Sequence, residues 1–80
     1  MTIPLIEGAF KSNDAINLLS NIIESKIKFH ETKIKDTDVE EDIKYRETKI
    51  KQLQNLAFEL KETLKMKNQI IELNAIIKIQ

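Results

Sequence analysis

The 80 residues include thirteen Lys and Arg against thirteen Asp and Glu, so the chain as a whole has no excess charge to draw it to nucleic acid or an anionic membrane. It has no Cys, which removes disulfides and thiolate metal ligands, two of the usual supports of so small a domain. A second subunit is the remaining one.

The opening segment MTIPLIEGAF sets Glu7 where an export peptide would carry its apolar core, with no basic residue ahead of it. No apolar run approaches the roughly 18 residues of a membrane span. A cytoplasmic protein with no membrane association is therefore expected. Residues 2 to 6, TIPLI, read as a short edge strand, because Pro4 lacks the N–H that a central strand needs.

Pro4 and Gly8 are the only strong breakers in the chain, so long helices are expected beyond them. Ser12, Asn13 and Asp14 supply a candidate cap and an acidic first turn for a first helix over about 13–35. Its apolar stripe runs through Ile16, Leu19, Ile23, Ile27 and Ile34, with His30 in the remaining slot.

A turn is expected at 36–38, against the alternative of one continuous helix. DTDV is made of poor helix formers, and Thr37 with Glu40, or Asp38 with Glu41, offers a capping box. Lys26, Lys28, Lys33 and Lys35 crowd one side of this point and Asp38, Glu40, Glu41 and Asp42 the other, as the dipoles of two separate helices favour. The second helix is expected over about 39–67. Val39, Ile43, Arg46, Ile50, Leu53, Ala57, Leu60, Leu64 and Lys67 alternate spacings of four and three, a heptad seam. Leu56, Phe58 and Met66 lie off that seam and ask for a second contact surface.

Beyond Lys67 the period changes to two, with Ile71, Leu73, Ala75, Ile77 and Ile79 alternating against mostly polar residues. This predicts a strand at 70–79, the alternative being a helix that continues through Ile70, Leu73 and Ile77. Such a strand needs an edge, from residues 2 to 6 of the same chain, from the same tail of another subunit, or from an unidentified protein partner, and pairing within the homo-oligomer is expected first.

IKFHETKIK at 27–35 and IKYRETKIK at 43–51 share seven of nine positions. On one helix a sixteen-residue offset turns the copies roughly 160° apart. In a hairpin whose facing residues sum to about 77, Ile27 instead meets Ile50 and Ile34 meets Ile43. The same arithmetic sets His30 opposite Glu47 and Arg46 opposite Glu31, so the doubling is read as self-complementary packing with a register device.

Chemistry-bearing patterns are sparse. His30 is the only histidine and no second His stands four residues on, so no zinc-protease motif exists. DTDVEED lacks the central Gly and spaced ligands of a calcium loop, and one glycine builds neither a phosphate-binding loop nor a nucleophile elbow. No catalytic residue, cofactor site or metal site is assigned, and the chain is read as a non-enzyme. Residues 43–67 hold seven cations against three acids, but they are spread around the helix as a solvated face would be.

The segment IEGAFKSNDAINLLSNIIESKIKFHETK resembles short bacterial helical-hairpin open reading frames, through Gly8, Phe10, Lys26, Ile27, Phe29 and His30. The resemblance lies mainly in the first helix and implies no activity or site.

The expected fold is mainly α: an antiparallel, coiled-coil-like two-helix hairpin with a short C-terminal strand, one domain over residues 1–80, associating with itself into a helical bundle. Its expected function is that of a homo-oligomeric protein-interaction module, a scaffold or adaptor. The rival from another class is a small nucleic-acid-associated regulator. Expected interface residues are Ile16, Leu19, Ile23, Ile27 and Ile34 on the first helix, Ile43, Ile50, Leu53, Leu56, Leu60 and Leu64 on the second, and Ile71, Leu73, Ile77 and Ile79 in the tail.

Overall fold

The computed structural model describes residues 1–65 and 69–80 and has the order β1 (Thr2–Lys11), α1 (Ser12–Lys35), α2 (Glu40–Lys65), β2 (Ile70–Lys78). The helices form the hairpin that the mid-chain signals predict. Asp36 N donates to Lys33 O and Thr37 N to Ile34 O, closing α1 in a tight turn, and Ile43 N donates to Val39 O to open α2. Thr37 Oγ1 accepts from Val39 N at 3.2 Å. That is a local turn contact and not the reciprocal capping box expected from Thr37 and Glu40.

Ile23, Ile27 and Leu53 form the buried centre of the hairpin, with Ile50, Ala57 and Leu60 packed against it. Ile27 and Ile50, from the two copies of the doubled segment, therefore share one cluster. The ionic part of the expected register does not form. His30 meets Arg46, whose Nη1 donates to His30 Nδ1 at 3.0 Å, and the Arg46 Nε ion pair runs along its own helix to Asp42 Oδ1 at 3.7 Å. The reason is angular: at 100° per residue His30 and Arg46 both point into the seam, whereas Glu31 and Glu47 turn toward solvent. His30 and Arg46 are equivalent positions of the two copies, next to their local twofold. Two arginines there would repel each other.

The chain's two ends meet. β1 and β2 pair antiparallel from Thr2↔Lys78 to Lys11↔Ile70, so the tail takes its edge from its own N-terminal segment. β1 is twice the expected length. The register steps from Pro4↔Ile76 to Ile6↔Ala75, leaving Leu5 as the extra residue of a bulge, and Gly8 continues the strand at φ +141°. Ser12 does not cap α1. Its hydroxyl donates to Gln69 O at 2.9 Å and accepts from Gln69 N at 3.2 Å, clamping the start of α1 to the residue before β2.

Gly8 gives a first test. An added Cβ there would meet only Phe10 ring atoms, at 3.8 and 3.9 Å, so the cost of Gly8→Ala lies in the backbone, which an L-residue rarely places at this φ. We expect a loss of about 1–3 kcal/mol, seen as a thermal midpoint lower by about 4–8 °C per kcal/mol. Ala9→Ser, at an exposed neighbour, is expected to melt with the wild type.

α1 carries the connection between the layers. It lies against both strands, and no Cα of the described part of α2 comes within 8 Å of either. The sheet turns its more buried row, Ile3, Ile6, Phe10, Ile71, Leu73 and Ala75, toward α1. Ile6 and Ala15 are buried where sheet and helix meet the interior, Ala15 completely. Lys67 and Met66, and the expected end of the second helix at 67, lie outside the described residues.

Candidate interaction surface

The finished monomer keeps little inside. Among the described residues only Ile6, Ala15, Ile23, Ile27, Leu53 and Leu64 are buried, and no large side chain is fully so. The Cα radius of gyration is 15.2 Å, with extents of 46 × 33 × 13 Å, whereas a compact chain of this length has a radius of about 12 Å. The accessible surface is 6522 Å², against about 5,000 Å² for a folded monomer of this mass. The excess of about 1,500 Å² falls within what an obligate dimer removes from each protomer.

Helical spacing decides where that surplus lies. On α1, Leu19, Ile22, Lys26 and Phe29 follow one another at three and four residues, which puts them on one broad face of the hairpin. Two shallow grooves open there. One, of about 340 Å³, is lined by Leu19, Ile22, Ile23, Lys26, Leu53, Leu56 and Leu60. The other, of about 510 Å³, is lined by Leu5, Ile22, Ser25, Lys26, Phe29 and His30. They share Ile22 and Lys26 and so form one continuous apolar trough from α2 across α1 to the bulge of β1. Leu5, Phe29 and Leu56 in it are about half exposed, at 48%, 55% and 51%.

The opposite face of the hairpin is polar. Asn17, Glu24 and Glu31 repeat every seven residues on α1, as do Glu47, Gln54 and Lys61 on α2, and all six are exposed. Phe58, 66% exposed beside Gln54 and Lys61, is the large apolar exception on that side, and the continuous apolar surface lies on the trough side. A partner that covers such a side with its own copy of it closes the assembly.

At the trough's edge Phe29 holds the charged groups around it. The Lys33 Nζ and the Arg46 guanidinium each lie 5.7 Å from its ring centroid, and the His30 ring stands edge-on to it at the same centroid distance. Arg46 is a donor only, so His30 Nδ1 is the acceptor of this contact. Buried here are the Arg46 Nε, with no hydrogen-bond partner, and elsewhere the Ser20 Oγ, likewise unpartnered. Among the described residues no group of three or more His, Asp or Glu side chains is placed to hold a metal ion.

The expected interface residues divide three ways. Ile23, Ile27, Leu53 and Leu64 are buried within the chain, while Ile16, Leu19, Ile34, Ile43, Ile50, Leu60, Ile71 and Leu73 are half-buried. Leu56, Ile77 and Ile79 stay exposed. Leu5, Ile22 and Phe29 line the trough as well and are not among the expected interface residues. Ile22 and Phe29 flank the main stripe of α1 at helical spacing, and that second stripe was their available signal.

Fold and surface together define a helical hairpin closed by an antiparallel strand pair, with one apolar broad side. No family model, curated protein or solved structure matches this chain. No helix among the described residues is long and apolar enough to cross a membrane.

Proposed function

We propose that this protein is a non-enzymatic, self-associating interaction module whose apolar trough is covered by a second copy of the chain. The observation that carries this reading is the one-sided trough, together with a surface about 1,500 Å² larger than a folded monomer of this mass exposes. An isolated domain with so small an interior has little to set against the conformational entropy of its chain. Association removes apolar area at about 25 cal/mol per Å² and supplies what the monomer lacks. Scaffolding or adapting follows from such an assembly, whose polar faces remain outward for other contacts.

Leu56 tests the reading because it is half exposed in the monomer. In a free monomer Leu56→Lys gives up only the packed half of one side chain, so its effect on melting would stay at about 1 kcal/mol. In the assembly it buries a cation beside Lys26, with no acid among the lining residues, which costs several kcal/mol, and Phe29→Lys does the same at the other end of the trough, beside Lys33 and Arg46. We expect both variants to lower the oligomer's mass in light scattering while keeping their helical circular dichroism. Unchanged mass in both would overturn the assignment of this surface.

A further inference from the structure

The sheet has two free edges, and they are built differently. Met1 N donates to Ile79 O at 3.0 Å and Ile79 N to Met1 O at 2.8 Å, so this pair exchanges both bonds. In an antiparallel ladder such pairs alternate along the strand. β2 therefore directs the backbone groups of Ile71, Leu73, Ala75 and Ile77 to β1, and those of Glu72, Asn74, Ile76 and Lys78 to its open edge.

The open edge of β1 is blunted. Pro4 sits opposite Ile76 at an outward-directed position and brings no N–H there, and the register shift at Leu5 bends the strand beside it. A proline and a bulge are the devices by which natural sheets avoid pairing. β2 has neither. Its nine residues, IIELNAIIK, contain no Pro or Gly and two charges, and of the described elements only β1 and α1 come near it.

We propose that β2 pairs antiparallel with β2 of a second copy about a twofold axis at Ala75, making one four-stranded sheet in the order β1-β2-β2-β1. The proposal rests on the self-association argued above and names its backbone contact. The axis at Ala75 follows from charge. It sets Glu72 opposite Lys78 of the other copy, twice, and Asn74 opposite Ile76. An axis at Asn74 would set Lys78 against Ile70 and Glu72 against Ile76, and one at Ile76 would set Glu72 against Gln80. Only Ala75 pairs both charged residues of the strand with opposite charge.

The same axis matches backbone and faces. The residues whose N–H and C=O groups point outward fall opposite one another, giving about eight inter-chain hydrogen bonds. On the inner face Ile71 meets Ile79 and Leu73 meets Ile77, so two isoleucines exposed in the monomer gain neighbours. An axis normal to the sheet keeps both hairpins on the same side of it.

Two sets of full-length variants test the proposal. Asn74→Pro and Ile76→Pro each remove an outward N–H and leave the bonds to β1 intact. We expect either to weaken the dimer roughly 30-fold with helical circular dichroism unchanged. Glu72→Lys and Lys78→Glu each place like charges opposite in the homodimer, weakening it about tenfold. Mixed together they restore opposite charge at both pairs, so native mass spectrometry should show the mixed dimer in excess of the statistical half. A dimeric protein in which both prolines leave dissociation unchanged, and the mixture assorts at random, overturns the β2 pairing while leaving self-association standing. A protein monomeric throughout overturns both.

Discussion

Leu53→Asp unfolds the protein, or leaves it so unstable that no cooperative melt remains. Leu53 is 8% exposed in the buried cluster that joins α1 to α2 among the described residues. An aspartate there loses its hydration among Ile23, Ile27 and Leu60, at a cost of several kcal/mol. A domain of this length has roughly 4–12 kcal/mol to lose. Lys51→Asp, two residues away on the exposed side of α2, is expected to shift the melt by about 0.5 kcal/mol or less. Thermal and urea melts at one protomer concentration make the comparison, since association couples stability to concentration.

Ile6→Asp is the counterpart for the sheet. Ile6 is the only buried residue of either strand among the described residues, at 7% exposure, and it faces Ala75 just past the bulge. The substitution removes the apolar contact that holds the strand pair to α1 and is expected to cost about 3 kcal/mol or more. The hairpin's own cluster is untouched, so the helical signal should survive at low temperature and melt earlier. Glu7→Gln, exposed on the other row, is expected to be neutral. Equal melting of the two variants would detach the sheet from the stability of the fold.

The hairpin was legible because its signals are local and mutually consistent. Cations before the turn, acids after it, poor helix formers within it and a stripe on each side all demand the same break. The second strand was legible from its period of two. β1 was only half legible, for a physical reason. The bulge at Leu5 shifts the phase between Ile3 and Ile6, and Gly8 occupies an inward position that a periodic reading counts as a break. No single period runs through Thr2–Lys11, although the backbone does.

What the sequence hid were contacts set by rotation and by distance. The hairpin sum of 77 brought Ile27 to Ile50 but misplaced the charges, because a shift of one residue turns a helical side chain by 100°. His30 therefore meets Arg46 rather than Glu47. The Ser12 clamp on Gln69 joins residues 57 positions apart and replaces a helix cap that local reading favoured. The trough was hidden for a related reason: Ile22 and Phe29 look like ordinary flanking apolar residues until α1 is seen to have the strands on one side and α2 on another.

Self-association is the central claim, and the mass in solution tests it most directly. Sedimentation equilibrium over two decades of micromolar concentration should give a species of twice the 9.3 kDa chain mass, dissociating on dilution, with a melting temperature that rises with concentration. A mass of 9.3 kDa at the highest concentration, with a cooperative melt independent of concentration, would contradict the account.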